Sequence, residues 1–258
     1  MLAKNPGFTA VAVATLALGI GANTAIFSLV NAVMLQTIPV RAPQQLVVLK
    51  WSAHARPQKI GTSSFGDCSW TAWSSKFAGG CSFSYPMFQE IRNQKDVFSG
   101  VATFAGPAQL DLSGNGTASI AHGELVSGDY FQTLGVPPVV GRTLQPADEK
   151  PGAEAVTVLS YTYWQSVFGS SPSAIGKSIK LNGVPFTIVG VADPGFTRLS
   201  PGRFQDMWLP LSQANALRLH WGGPEPDRSW WLTIVGRLKP GISRGQAESA
   251  ISLLFRNQ

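Results

Sequence analysis

Residues 8–38 read FTAVAVATLALGIGANTAIFSLVNAVMLQTI, with no Asp, Glu, Lys or Arg among them. A helix needs about 20 apolar residues to cross the hydrocarbon core of a bilayer, so this run can span it and leave further turns over. No water satisfies peptide groups inside lipid, and a single spanning segment can therefore only be helical. Asn5 and Pro6 suit a helix start, Asn5 as cap and Pro6 in the first turn, where a missing N–H costs nothing. Two other readings compete: a processed signal sequence, whose apolar core runs to only about 7–15 residues, and a buried soluble helix. On the membrane reading residues 1–7 are a cytoplasmic stub, and Lys4, the only charge ahead of the run, favours that orientation.

The run has texture. Ala10, Ala14, Ala17, Gly21, Ala25, Ser28 and Ala32 recur at spacings of three and four, which places them in one narrow stripe where another helix can approach closely. Thr24, Ser28 and Asn31 share a face and make the second half more polar. A helix this long exceeds the roughly 30 Å of the apolar core, so its last turns are expected to stand clear as a stalk.

Beyond the run, residues 39–258 are enough for one large domain or two small ones with a real core. Charged residues make up 13%, against 27 Gly and 18 Pro, a turn-rich profile common in exported domains. The net charge of +6 comes from basic residues scattered from Lys4 to Arg256. Without a basic patch to meet phosphates, nucleic acid is not an expected partner. The two cysteines, Cys68 and Cys81, flank a Ser/Gly/Trp-rich loop. They are candidates for a disulfide in an oxidising compartment, with two free thiols as the competing reading. No CxxC or HExxH spacing occurs, so no metal site is expected.

Local signals then map the chain. Leu46 to Leu49 reads as a short buried strand, 52–80 as a long surface loop, and Pro86 opens a helix to about Gln94 with Met87, Phe88 and Ile91 inward. Two strands flank a turn at 111–116, a helical turn at 128–134 ends at Gly135, and 137–148 is expected to be irregular. A strand at 155–159 precedes an aromatic helix at 161–168. Asn182-Gly183 between two apolar runs calls for a type I′ hairpin, since both central residues must accept positive φ. A strand at 207–209, a helix at 212–219, a long strand at 230–238 and a capped helix from Ser243, with Gln246 completing a capping box, finish the chain.

Catalytic chemistry finds little support. Gly176-Lys177-Ser178 resembles the end of a phosphate loop, but Ser171 stands where the pattern needs its first glycine. The three histidines are isolated at His54, His122 and His220, and no Gly-x-Ser-x-Gly elbow occurs. His122 and Glu124 alternate on a strand, an arrangement more usual for a solvated face than for acid–base work. Asp148-Glu149 reads as an exposed turn. Trp221, Trp230 and Trp231 surround Gly222-Gly223-Pro224, which suits either core packing or a protein contact. No catalytic, cofactor-binding or metal-ligating residue is assigned.

The ordered series NPGFTAVAVATLALGIGANTAIFSLVNAVML, SYPMFQEIRNQKDVFSGV, GDYFQTLGVPPVVGRTL, VLSYTYWQSVFG, IGKSIKLNGVPFTIVGVADPGF and IVGRLKPGISRGQAE resembles successive motifs of MacB/FtsX-type ABC transporter permeases. Within that group it is most similar to the duplicated orphan permeases abundant in Acidobacteria. The resemblance implies an α+β fold, in which one transmembrane helix is followed by a MacB-like periplasmic core domain. That domain would comprise a porter-like part at about 41–105 and 211–258, with a mainly β insert at about 106–210. It implies a non-catalytic role in which a separate ABC ATPase drives the permease and movement is passed to the periplasmic side. The implied partners are that ATPase, the remaining permease helices and membrane lipid, and a permease dimer is compatible. The implied location is the bacterial inner membrane, with the main domain periplasmic. Further permease helices are not seen in this sequence, so the chain reads as an N-terminal fragment of such a permease. The alternative is a single-span anchored periplasmic binding or adaptor module.

Overall fold

The structure is a computed structural model that describes residues 6–34, 40–53, 62–63, 78–113, 119–197, 199, 205–219 and 228–256. The chain divides into two compact units, one built on the N-terminal helix and the other formed by residues 39–198 and 204–258. Helix α1 runs Pro6–Met34, about 43 Å at 1.5 Å per residue. Its span Thr9–Ser28 is long and apolar enough to cross a membrane, and none of its described residues is buried. The described side chains from Val13 to Ser28 are all exposed, so Ala14, Ala17, Gly21, Ala25 and Ser28 present an open stripe. Nothing approaches within 4 Å of a Cβ added at Gly21. The hydroxyls of Thr15 and Thr24 donate to the carbonyls of Val11 and Ile20 at 2.9 and 2.8 Å, which satisfies them within the helix. Ala32 lies in α1, but its side chain and the expected cap Asn5 are outside the described residues, as are 35–39.

In the second unit, strands β1 (Leu46–Val48), β2 (Trp51–Ala53), β3 (Thr62–Ser63) and β4 (Ala78–Gly80) precede helix α2 (Tyr85–Arg92). Long strand β5 (Phe98–Ser113), β6 (Ser119–Val126), helix α3 (Tyr130–Leu134), β7 (Pro138–Gly141), β8 (Val156–Leu159) and helix α4 (Tyr161–Phe168) follow. Then come β9 (Ser178–Leu181), β10 (Val184–Ala192), β11 (Met207–Pro210), β12 (Ser229–Trp230), β13 (Thr233–Leu238) and helix α5 (Arg244–Arg256). The main sheet of nine strands, counted among the described residues, runs β1-β13-β5-β6-β11-β8-β10-β7, with β9 pairing both β10 and β5. Through β9 the strands β5, β6, β11, β8, β10 and β9 form a closed ring of pairings. Closure removes the free edges that an open sheet would expose.

Strand β5 carries both parts of this sheet. Its first half, Phe98 to Phe104, pairs with β13, while Phe104 to Leu112 pairs with β6. The register of the β6 ladder shifts between Ala105 and Ala108, at Gly106-Pro107. Proline cannot donate to a ladder, and the irregularity removes that demand. The boundary expected at 105/106 therefore falls within one continuous strand.

Alternation along the strands separates two cores. Met207 and Leu209 face the main core inside the ring, with Leu110, Leu125, Phe186 and Ile188. Trp208, on the opposite face, packs edge-on to Phe131 with centroids 5.5 Å apart, and Tyr130 and Phe196 complete the aromatic layer under α3.

Several local expectations are met. Ser243 and Gln246 form the expected reciprocal capping box of α5 at 2.9 and 3.3 Å, and the structure adds Ser84 and Ser160 as caps of α2 and α4. Asn182 and Gly183 take φ of 48° and 82° at the β9–β10 turn. Asn182 also accepts from the Asp111 N–H and donates to the Leu217 carbonyl, both at 2.8 Å, and so staples the hairpin to its neighbours.

Other expectations change. β1 is half-buried rather than buried, because it is an edge strand bonded only to β13. Within the expected 52–80 loop, β2 and β4 pair antiparallel, and 54–61 and 64–77 lie outside the described residues. Residues 138–141 form an edge strand on β10. The helix expected at 212–219 is a 3-10 turn, Leu211–Gln213, followed by turns that end at left-handed Arg218. The strand expected at 230–238 is broken at Trp231 and Leu232, where Leu232 bridges to Phe83. Residues 114–116 of the expected 111–116 turn lie outside the described residues, and β5 itself continues to Ser113.

Helix α2 is held on the sheet by Met87, Phe88 and Ile91, all buried. Phe88→Ala is expected to cost about 3–5 kcal/mol, read as a lowered urea midpoint of the full chain in detergent. A loss below about 1 kcal/mol would show that α2 is anchored elsewhere.

Candidate functional site

Three places in the second unit gather polar chemistry or open space. The first is where the chain enters this unit. Arg237, on the central strand β13, pairs with Leu46 of β1 on one side and Gly100 of β5 on the other. Its side chain is only 3% exposed. Nε donates to the Thr133 carbonyl at 2.7 Å, one terminal nitrogen to Leu134 at 3.1 Å, and the other to Ala42 at 3.3 Å. Among the described residues it makes no ion pair with a carboxylate. Burial pushes its guanidinium below the ordinary value, and the nearby Arg41 charge acts in the same direction.

Two of the three carbonyls that Arg237 meets, Thr133 and Leu134, are those left over at the end of α3, where a cation is favourable. The Arg41 N–H also donates to Leu134, at 3.0 Å. Gly135 ends α3 at φ 69°, and a Cβ there would lie 2.5 Å from the Arg41 Cβ. Ala42 itself sits in the left-handed region at φ 44°, a conformation that costs an alanine roughly 1–2 kcal/mol. The connector is therefore pressed against α3 by several contacts at once.

The second place is a groove of about 570 Å³ between the β1 edge and α5. Leu46, Val47 and Trp51 line one side, and Ala247, Ile251 and Phe255 the other. Trp51 stacks on Phe255 at 5.9 Å and donates from Nε1 to the Ser82 carbonyl at 3.0 Å.

The third is the carboxylate region expected to be an exposed turn. Asp148 is buried instead, held by two hydrogen bonds from Arg142 at 2.7 and 2.9 Å and one from the Gln145 N–H at 2.8 Å. This pairing holds the Arg142 guanidinium above its ordinary value. Burial raises the Glu149 carboxyl above its usual range, while the Gly128 N–H and the Arg92 charge oppose that shift. Two adjacent acids thus have different surroundings: Asp148 is held by Arg142 and Gln145 close by in sequence, while Glu149 meets Gly128 and Arg92 from distant segments.

His122 and Glu124 are not brought together. His122 is exposed, 3.5 Å from Asp206, whose carboxylate also accepts from the His122 N–H at 2.7 Å. Glu124 is fully buried and accepts from Trp208 Nε1 at 3.0 Å and Tyr130 OH at 3.2 Å. Its neighbours tie three elements together, and Glu124 is not a partner of His122. Gly176 to Ser178 enters the β9 hairpin, as Gly176 donates to the Ile188 carbonyl at 2.8 Å. Trp230 is buried and Trp231 half-buried, while Trp221, His54 and His220 lie outside the described residues. Cys81 is buried, and Cys68 lies outside the described residues. Among the described residues no three His, Cys, Asp or Glu side chains gather as a metal site.

This architecture has known counterparts. The profile of the MacB-like periplasmic core domain matches residues 9–254. The chain belongs to that family. It is 27% identical over 165 residues to the macrolide export ATP-binding/permease protein MacB of Shigella dysenteriae and to that of Escherichia coli K12, covering 64% of this chain and 24% of each relative. The chain thus spans about a quarter of the length of these relatives. Among solved structures, the periplasmic region of MacB from Actinobacillus actinomycetemcomitans aligns with TM-score 0.52 at 18% identity, over 68% of this chain and 73% of that one. A domain of a putative permease protein from Porphyromonas gingivalis aligns with TM-score 0.51 at 16% identity, over 70% and 80%. The α+β MacB-like fold is thereby shown, with a candidate membrane helix ahead of it.

Glu149 supplies a pH test. A carboxyl raised in the folded state contributes stability that is present below its unfolded value, near 4.5, and lost as pH rises through the folded value. Glu149→Gln should therefore raise the denaturation midpoint of the full chain at pH 7, with the two proteins converging below about pH 4.5. A constant difference at all pH values would remove burial of the charge as the cause.

Proposed function

We propose that this chain is the N-terminal part of an ABC transporter permease, itself non-catalytic, which couples movement driven by a separate ATPase to the periplasmic side for export or mechanotransmission. The observation that carries this reading is that an uncharged 29-residue helix, whose side chains from Val13 to Ser28 are exposed, precedes a MacB-like periplasmic core domain in the chain. On this reading α1 crosses the bacterial inner membrane with residues 1–7 in the cytoplasm, and its stripe from Ala14 to Ala32 packs against the remaining permease helices. A permease dimer fits the same arrangement. Strands β1 and β13, the first half of β5, and helices α2 and α5 make up the porter-like part. The ring of strands within 106–210 is the insert. Cys68 and Cys81 are bridged, as suits an oxidising compartment.

The groove between β1 and α5 favours a second reading, an anchored periplasmic binding module. The two differ in whether an ATPase moves the domain.

In spheroplasts of a bacterium carrying the matching ATPase, added protease should cut within 39–258 while α1 is protected, and ATP depletion should change the cutting pattern. Cutting only after permeabilisation would overturn the orientation, and an ATP-independent pattern would favour the binding module. For the bridge, thiol alkylation of the unreduced chain followed by mass measurement should find no modified cysteine, and two modified cysteines would exclude it.

A further inference from the structure

Arg237 is a buried cation whose side-chain hydrogen bonds, among the described residues, go to backbone carbonyls. Removing a guanidinium from water is costly, and the cost is offset here only if its donors are taken up. Three of its five N–H donors are taken up by carbonyls from two places in the sequence: Thr133 and Leu134 at the end of α3, and Ala42 where the chain enters this unit. A core position between β1 and β5 would be filled more simply by an apolar side chain. The arginine is therefore best explained by what it holds.

It holds the first described residues after α1. Leu134 accepts from both Arg237 and the Arg41 N–H, so sheet, helix end and connector share one acceptor. Ala42 is kept left-handed, with its carbonyl receiving Gln45 N–H at 3.0 Å and Arg237. Gly135 lets Arg41 lie directly on the turn that ends α3. On the far side, Ser99 donates to the Arg237 carbonyl at 3.2 Å, so the same residue is tied to β5 through its backbone.

We propose that Arg237 is a latch fastening the connector at Arg41 and Ala42 to α3 and β13. A displacement arriving along the chain from α1 is then delivered to the sheet instead of being absorbed by the connector peeling away. The mechanical role rests on the permease reading above, while the latch itself is a property of the folded chain. Without its side chain, Ala42 loses one partner and its left-handed backbone is free to relax, and the connector opens before β1 does.

Hydrogen–deuterium exchange on the full chain in detergent tests this, using Arg237→Met, Arg237→Lys and Gly135→Ala. In Arg237→Met the peptide covering 40–45 should exchange at least tenfold faster, with β8 and β10 unchanged. Arg237→Lys, which keeps the charge but loses the fork, should fall between Arg237→Met and the parent chain. Gly135→Ala, which pushes Arg41 away while leaving Arg237 intact, should open the same peptide. Equal exchange at 40–45 in all proteins overturns the latch, and so does uniform acceleration through β8 and β10, which would make Arg237 a general stabiliser. Should Arg237→Met fail to fold, the other two variants decide. The exchange experiment needs no ATPase, so a failure of the permease reading in spheroplasts does not alter what exchange says about the latch.

Discussion

Strand β5 has to satisfy hydrogen-bonding partners on both edges along 16 residues, and the arrangement of the second unit follows from that demand. Buried backbone groups left unpaired cost as much as lost hydrogen bonds, so a long central strand dictates where its neighbours lie. β13 takes one edge from Phe98 to Phe104, β6 the other from Phe104 to Leu112, and β9 meets Leu112 and Ser113. Because β9 is the first arm of a tight hairpin with β10, this last pairing draws the strands into a ring. Asn182 reinforces closure by holding the Asp111 N–H and the Leu217 carbonyl.

The ring covers the inner face of its strands, and α3 with its aromatic layer covers part of the outer face, where polar groups are also buried. Glu124 and Trp208 are direct partners on parallel strands β6 and β11, both facing α3. A carboxylate there is tolerated because indole and phenol donors surround it. Arg237 does the same for the end of α3 from the opposite charge. Both buried charged groups orient α3, one through Tyr130 and the other through Thr133 and Leu134, so this five-residue helix is positioned by polar contacts as well as by its aromatic side chains.

Short-range features were legible before any tertiary contact was known. Ser243 and Gln246 mark a helix start because the hydroxyl reaches a backbone N–H three residues on, an interaction contained within one turn. Asn182-Gly183 and Gly135 report positive φ for similarly local reasons. The ordered motif series carried the family and the mixed fold. The failures share a cause. Residues 212–219 have helical composition, yet the Leu217 carbonyl is taken by Asn182, 35 residues away in sequence. Asp148 reads as surface until Arg142 folds over it, and β1 reads as core until it proves to be the edge of the sheet.

What the sequence by itself determined is therefore the uncharged helix α1, the positions of caps and turns, and membership of a MacB-like family, because each depends on residues close together or on their order. The tertiary structure alone decided that β9 closes a ring, that Glu124 is a buried hydrogen-bond acceptor and not a partner of His122, and that Arg237 grips the connector. Each of these joins groups roughly 70 to 200 residues apart or sets which strand face is covered. Periodicity along one segment carries no information about which distant segment will supply a carbonyl, an indole or a strand edge.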